Sequence, residues 1–536
     1  MTDHHDLIVP EILDLSPRQV VLEQALTEFL VSLKSKIPSK IPKKRRNKKD
    51  FQFFHVLEDI LDEAEKQQVK NEEHEETIRL ALKKLITSSN NAFGISDAKL
   101  DLFVNWIIDK LLVRSGKRDS KEYVSFRPYH LKAAKVYPKG WHIVGPFLYS
   151  MIASNSSVVD ELSSYFEESN NLGAEYKVLC NLIDAIKYES TPKSDKKSHP
   201  LCKSAANELC MDIMRILAYG NEIPRRVMTR LIQNCLLLHI SLYFLRIVKL
   251  VNAASSQSLK GSVQLPCSTC QSTEQCPYSP NIFISVEKTN KDIAKRSRIR
   301  LHEHRDEINL FVKNLIRIRK LYDFCLKKSI CKQGSFDLKV VLESQRNKMS
   351  KTHFKALIKS YITSGKITFS KEQQRDLLKS SSHPLENYVE ALNNHHFRNG
   401  TRRHREWYEQ VASNGNQGFV RVGARGQQRG YHSNADLLKL LVLLISTEEI
   451  ESEGQNPSFR TQRYMTLEEF CNIAAKKYGI LFHKWNLSAD MTFSDLSFID
   501  ENMEDLKNAL TKLGMFRRQS DATTLQFIQP RYQVGD

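Results

Sequence analysis

The chain has 536 residues, 41% of them hydrophobic and 26% charged, with 80 Lys and Arg against 62 Asp and Glu and a net charge of +18. The length excludes a single ordinary core and predicts three or four domains (roughly one per 150 residues), while the composition is that of a folded soluble protein. The basic excess favours polyanionic partners, because each phosphate contact releases condensed counterions; a merely solvated cationic surface is the alternative.

The opening stretch MTDHHDLIVPEILDL is acidic and lacks a cationic segment followed by an apolar run, so no secretory signal is predicted. Residues 34–50 carry nine Lys or Arg and two prolines and read as a basic loop or arm. HVLEDILDEAEKQQV, ETIRLALKKLITS and KLDLFVNWIIDKLLVR repeat apolar residues at steps of three and four and predict helices. A polar, breaker-rich linker follows around 186–201. The most apolar stretch, 230–251, contains His239, Arg246 and Lys249 and is expected to be a buried helix rather than a membrane span. A cytoplasmic protein without structural disulfides is therefore expected.

After the linker VNAASSQSLKGSVQLP comes CSTCQSTEQC, residues 267–276, with three of the ten cysteines in the chain. Cys267 and Cys270 have the two-residue spacing at which both sulfurs can converge on one metal ion, and Cys276 follows. A tetrahedral site needs a fourth ligand from elsewhere. Cys202, Cys210, Cys235, Cys325, Cys331, His302 and His304 are available. Zinc and an iron–sulfur cluster are both open as cofactors. His302 and His304 face apart if the segment is helical, so only an extended backbone would let both ligate one ion.

The basic charge is local. Residues 34–49 contribute +9, 291–332 contribute +8 and 398–430 contribute +5, which leaves the remainder of the chain at −4. In the second cluster Phe311, Leu315, Ile318, Tyr322 and Cys325 form one apolar stripe of a basic helix spanning 305–328. That stripe predicts an outward face with Lys313, Arg317 and Lys320, continuous with Arg296, Arg298 and Arg300. In the third cluster Arg402, Arg403, Arg425 and Arg429 are interleaved with Trp407, Tyr408, Phe419 and Tyr431. Arginine forks suit phosphates and aromatic faces suit unstacked bases, unless these aromatics pack into the adjacent core. The ten basic residues named form the predicted nucleic-acid surface.

No phosphate-cradling G-x4-G-K-[ST], no H-E-x-x-H and no G-x-S-x-G occurs, so no catalytic residues are nominated. NADLLKLLVLLI predicts a buried helix, and MTLEEFCNIAAKKYGI a second, opened by Thr466 and Glu469 and stopped at Tyr478-Gly479. ENMEDLKNALTKLGMF predicts a third, and TTLQFIQPRYQ a short strand that could serve as a wing. The expected architecture is mostly α and multi-domain: a helical domain over 1–185, a central helical domain with the cysteine cluster over 202–385, and a winged-helix-like end within 386–536.

The C-x2-C-x5-C spacing resembles the iron–sulfur staple of AddB-type nucleases, but no D…E-x-K set accompanies it between 180 and 266, so the resemblance covers the staple alone. The order of PCSTC…CPY, NLIRIRKLYDF and GYHSNADLLKLLVLLIS…MTLEEFCNIAAKKYGI resembles accessory subunits of bacterial anti-phage and modification-dependent restriction systems. The phosphorothioation-dependent restriction component G and similar partners of HerA-type ATPases share this layout. The resemblance implies a DNA-associated subunit that docks on an ATPase or nuclease of its system and has no membrane partner. A metal-dependent nuclease with dispersed carboxylates and a protein-only scaffold are the alternatives.

Overall fold

The computed structural model describes residues 144–167, 200–265, 270–286, 291–363, 384–421, 429–450, 457–484, 493–516 and 527–534, apart from positions 221, 271, 275, 333–334, 397, 414–416 and 463. It also describes Val9, Ile12, Leu13, Phe29, Leu30, Ser32 and Leu33. The basic arm 34–50 and the three helices predicted after it lie outside the described residues. The chain divides into two units, one of residues 1–20 with 198–536 and the other of 21–197. Of the described residues, 70% are helical and no sheet closes.

In the second unit, α1 (Val144–Ile152) is buried on every side. In α2 (Ser156–Glu167) Asn155 Oδ1 accepts from the Val158 amide at 3.3 Å, and Val158, Val159, Leu162 and Phe166 supply its buried stripe.

The first unit is organised on two long helices. Ahead of them runs α3 (Lys203–Leu217), and then α4 (Arg225–Lys260) starts after Pro224 and stops at Gly261. By length and composition Val227–Lys260 could cross a membrane, but 94% of its most apolar 18-residue stretch is buried inside the protein. It is thus a core helix, as expected. Strand β1 (Ile282–Phe283) leads to α5 (Lys291–Lys327). Along α5 a buried residue recurs at steps of three and four, through Ala294, Ser297, Leu301, His304, Ile308, Phe311, Leu315, Ile318, Tyr322 and Cys325. Phe311 meets Phe244 of α4 edge-on at 5.8 Å, and the Asn314 and Asn252 side chains bond at 2.9 Å.

Further helices wrap this pair: α6 (Leu338–Glu343), α7 (Lys348–Thr363), α8 (Pro384–His396), and, after a π turn at Arg398–Arg402, α9 (Arg403–Ser413). Phe354 of α7 lies 6.0 Å from Tyr388 of α8, a contact across the boundary expected near 385. Beyond α9 come β2 (Val420–Arg421) and β3 (Gly430–Tyr431), which pair antiparallel.

The buried helix α10 (Ala435–Ser446) is capped by Asn434, whose side chain accepts from the Leu437 amide. It runs into β4 (Thr447–Ile450), which pairs antiparallel with β5 (Ser458–Thr461). Strand β6 (Met465–Thr466) leads to α11 (Leu467–Ile473), where Thr466 and Glu469 form the expected capping box. A π turn, Ala474–Tyr478, closes on Gly479 in the left-handed conformation at φ 69°. Then follow β7 (Ile480–Leu481), α12 (Phe493–Lys512) and β8 (Phe527–Ile528). The expected late strand exists and pairs with β6. In addition, β7 pairs parallel with β1 from the middle of the chain, so one C-terminal strand shares a sheet with the central region.

A buried charge network ties α3, α4 and the π turn together. Asp212 is fully buried; its Oδ2 accepts from Tyr478 Oη and lies on His239 Nε2, both at 2.8 Å. Its Oδ1 pairs with Arg215, while Lys477 Nζ reaches Glu208 at 2.7 Å. Burial alone would raise the Asp212 pKa. Lys477, His239 and Arg215 together overcome that and hold it well below the usual carboxylate range.

Candidate nucleic-acid interface and cysteine cluster

The structure corrects the outward basic face expected on α5. Arg317 is 4% exposed and bonds Glu386 at 2.5 Å and Asn314 at 2.7 Å. The physical reason is that this stretch of α5 is sandwiched between α4, α8 and α9, so a stripe through Phe311, Leu315 and Ile318 does not force the opposite side into water. Lys313 is half-buried and pairs with Glu390 of α8, and Lys320 is half-buried. At the other end, Arg296 is exposed and Arg298 half-buried. Arg300 is a strap: Nε donates to the Asn281 carbonyl at 2.7 Å, Nη2 to the Pro280 carbonyl at 3.1 Å and Nη1 to Glu303 at 2.6 Å.

The arginine and aromatic segment also resolves toward packing. Trp407, Tyr408, Phe419 and Tyr431 are all at most 2% exposed and belong to the core, which removes them as stacking platforms. Tyr431 donates to His304 Nδ1, whose Nε2 donates to the Pro280 carbonyl at 2.9 Å, and Tyr408 lies 3.0 Å from Tyr431 Oη. Burial keeps His304 neutral, with its pKa well below the ordinary imidazole value. Buried Glu409 pairs with Arg305 at 2.6 Å and with Arg429 at 3.5 Å, while exposed Arg402 pairs with Glu406 at 2.7 Å. Arg403 is half-buried, and Arg425 lies outside the described residues.

The cationic surface that the structure does assemble was not among the nominated residues. Helix α7 has no Asp or Glu, and Lys348, Lys351, Lys355 and Lys359 follow at steps of three, four and four. At 100° per residue these four fall within one narrow arc, in a row about 16 Å long. All four are exposed, and none forms an ion pair among the described residues. The adjoining side of α7 is buried through Phe354 and Ile358, and Phe354 packs against Tyr388 of α8 and Phe324 near the end of α5. Exposed Lys327 and Lys328 extend the surface: after burial itself, their charges are what lower the pKa of His353 on α7. Step-of-four lysines without intervening acids were the sequence signal for this face; the total charge per cluster, dominated by paired residues, obscured it.

Cys267 lies outside the described residues. Cys202, the N-cap of α3, is 2% exposed, and its sulfur lies 3.5 Å from Ser204 Oγ. Ser204 Oγ in turn lies 3.5 Å from Cys270 Sγ, which donates to the Ser272 carbonyl at 3.0 Å. Burial raises the Cys276 thiol pKa, partly opposed by the nearby Arg246 guanidinium, and Cys202 and Cys270 both act on it electrostatically. The segment after Cys276 is held by Lys249, which donates to the Ser279 and Pro280 carbonyls at 2.7 and 3.1 Å. Among the described residues no three His, Cys, Asp or Glu side chains converge tightly enough to hold a metal ion.

These features define a mostly helical protein with a cationic helix face that forms no ion pair among the described residues. The family model described as "Methylation-associated defense system protein MAD7" matches residues 2–532, almost the whole chain, and the chain belongs to that family. It is therefore a component of an antiviral defence system. No curated protein matches the chain.

Proposed function

We propose that the protein is a DNA-associated, non-catalytic subunit of its methylation-associated defence system, acting in the cytoplasm beside an ATPase or nuclease partner. The observation that carries this reading is the α7 lysine row with Lys327 and Lys328: six exposed cations on two adjoining elements, anchored from behind by a packed core. Lysines on phosphates position a duplex without reading it, so binding is expected to be independent of sequence. Arg296 and Arg298 lie about 45 Å along α5 from Lys327 and are candidates for a second, separate contact.

The C-terminal segment is better suited to a protein partner than to DNA. Asp500, Glu501 and Glu504 are exposed on α12, the helix that would have to approach the duplex in a winged-helix arrangement. That acidic surface is the proposed docking side for the partner subunit, and the likeness to HerA-ATPase partners points the same way.

Full-length protein should retard duplexes of unrelated sequence equally in a mobility-shift assay, and should leave plasmid intact with magnesium or manganese. Retardation of one sequence alone, or no retardation at low salt, overturns the reading in favour of a specific reader or a protein-only scaffold. Metal-dependent cleavage that copurifies with the protein establishes the nuclease alternative.

A further inference from the structure

We infer that Cys202, at the start of α3, joins Cys270 and Cys276 as a ligand of a metal–thiolate centre, zinc or iron–sulfur. The inference builds on the expectation from sequence that the cysteine cluster binds metal, and it supplies the distant ligand.

Two independent observations carry the assignment. The first is position. Cys202 and Cys270 each lie 3.5 Å from Ser204 Oγ, so their sulfurs are no more than about 7 Å apart although 67 residues separate them in sequence. The sulfurs of a tetrahedral zinc site with 2.3 Å bonds are about 3.8 Å apart, a difference that side-chain rotation can close. Several other distant candidates are engaged elsewhere: His304 is bonded through both nitrogens, Cys325 interacts with Cys331, and the Cys235 thiol feels the charges around Asp212.

The second observation is an uncompensated buried charge. Arg246 is 4% exposed, donates Nη2 to the Lys477 carbonyl at 2.9 Å, and forms no ion pair among the described residues; its buried Nε has no partner among them. It lies near enough to Cys276 to act on it electrostatically. A buried guanidinium without a counter-ion is costly. A thiolate centre carries net negative charge and would supply that counter-ion. The N-terminus of α3, at which Cys202 sits, favours the same charge. Thr273, between Cys270 and Cys276, is 1% exposed with its hydroxyl unpartnered, leaving a donor for a sulfur ligand.

The test uses full-length protein purified without oxygen, with zinc and iron measured by elemental analysis and the visible spectrum recorded. Wild type should hold metal, Cys202→Ser should lose at least half of it, and Cys210→Ser, about two turns further along the same helix, should keep all of it. Metal-free wild type overturns the cluster reading itself. Metal-loaded wild type with undiminished metal in Cys202→Ser overturns the role of Cys202 alone. Should Cys202→Ser fail to fold, alkylation and mass spectrometry on wild type decide the matter: Cys202 must be protected until a chelator or an oxidant removes the metal. Cys202 labelling at the same rate before and after removal refutes the assignment.

Discussion

Asp212 shows how much one buried side chain can bind together. It is the shared acceptor of Tyr478, His239 and Arg215, and it lies 3.7 Å from Lys477. Replacement by Asn removes the charge while leaving Arg215 and Lys477 behind, and should destabilise the fold by about 3–5 kcal/mol in chemical denaturation. A second residue makes the fold sensitive to acid. Burial lowers the His404 pKa from 6.5 to about 4, opposed in part by its Nδ1 bond to the Gly400 carbonyl. Between these values the unfolded chain takes up a proton that the folded chain refuses. Stability therefore falls as pH drops through that window, by about 1.4 kcal/mol for each pH unit crossed. His404→Asn, which can keep the bond to Gly400, should flatten the dependence of the melting temperature on pH between 6.5 and 4. An unchanged slope would assign the acid sensitivity to other groups.

At the scale of elements, the turn that ends α11 is the most constrained. Gly479 has φ 69°, and a Cβ there would come within 2.5 Å of Ser279 Oγ and 2.8 Å of Pro280 Cδ. Gly479→Ala therefore combines left-handed strain, about 1–3 kcal/mol, with a clash against the segment that β1 continues. The expected result is a lower denaturation midpoint, and a variant as stable as wild type would contradict this account of the β1–β7 junction. The stop at Gly479 was legible in the sequence, as were the Thr466 cap, α10 and the burial of α4, because local chemistry and apolar spacing set them. The basic face of α5 was misread for a reason of the same kind. Spacing identifies the stripe that must be buried, but it cannot tell that neighbouring helices cover the other sides as well, as they do around Arg317. The pairing of β7 with β1, between residues almost two hundred positions apart, has no local signal at all.

For the molecule as a whole, the +18 charge is a poor guide to where a polyanion binds, because many of its arginines are paired internally. Among the described residues, the cationic face of α7 with the end of α5 is a surface that forms no ion pairs, on a protein whose family places it in antiviral defence. The most direct measurement is the salt dependence of duplex affinity for full-length wild type and for Lys351→Ala/Lys355→Ala/Lys359→Ala. These side chains are exposed and form no ion pair among the described residues, so the variant should keep the wild-type melting temperature within about 1 °C, the small effect expected of surface substitutions. The slope of log affinity against log salt should become shallower by up to roughly three, about 0.9 for each phosphate no longer neutralised, and equally for unrelated sequences. A folded triple variant with the wild-type slope and affinity would contradict the assignment of DNA binding to this face.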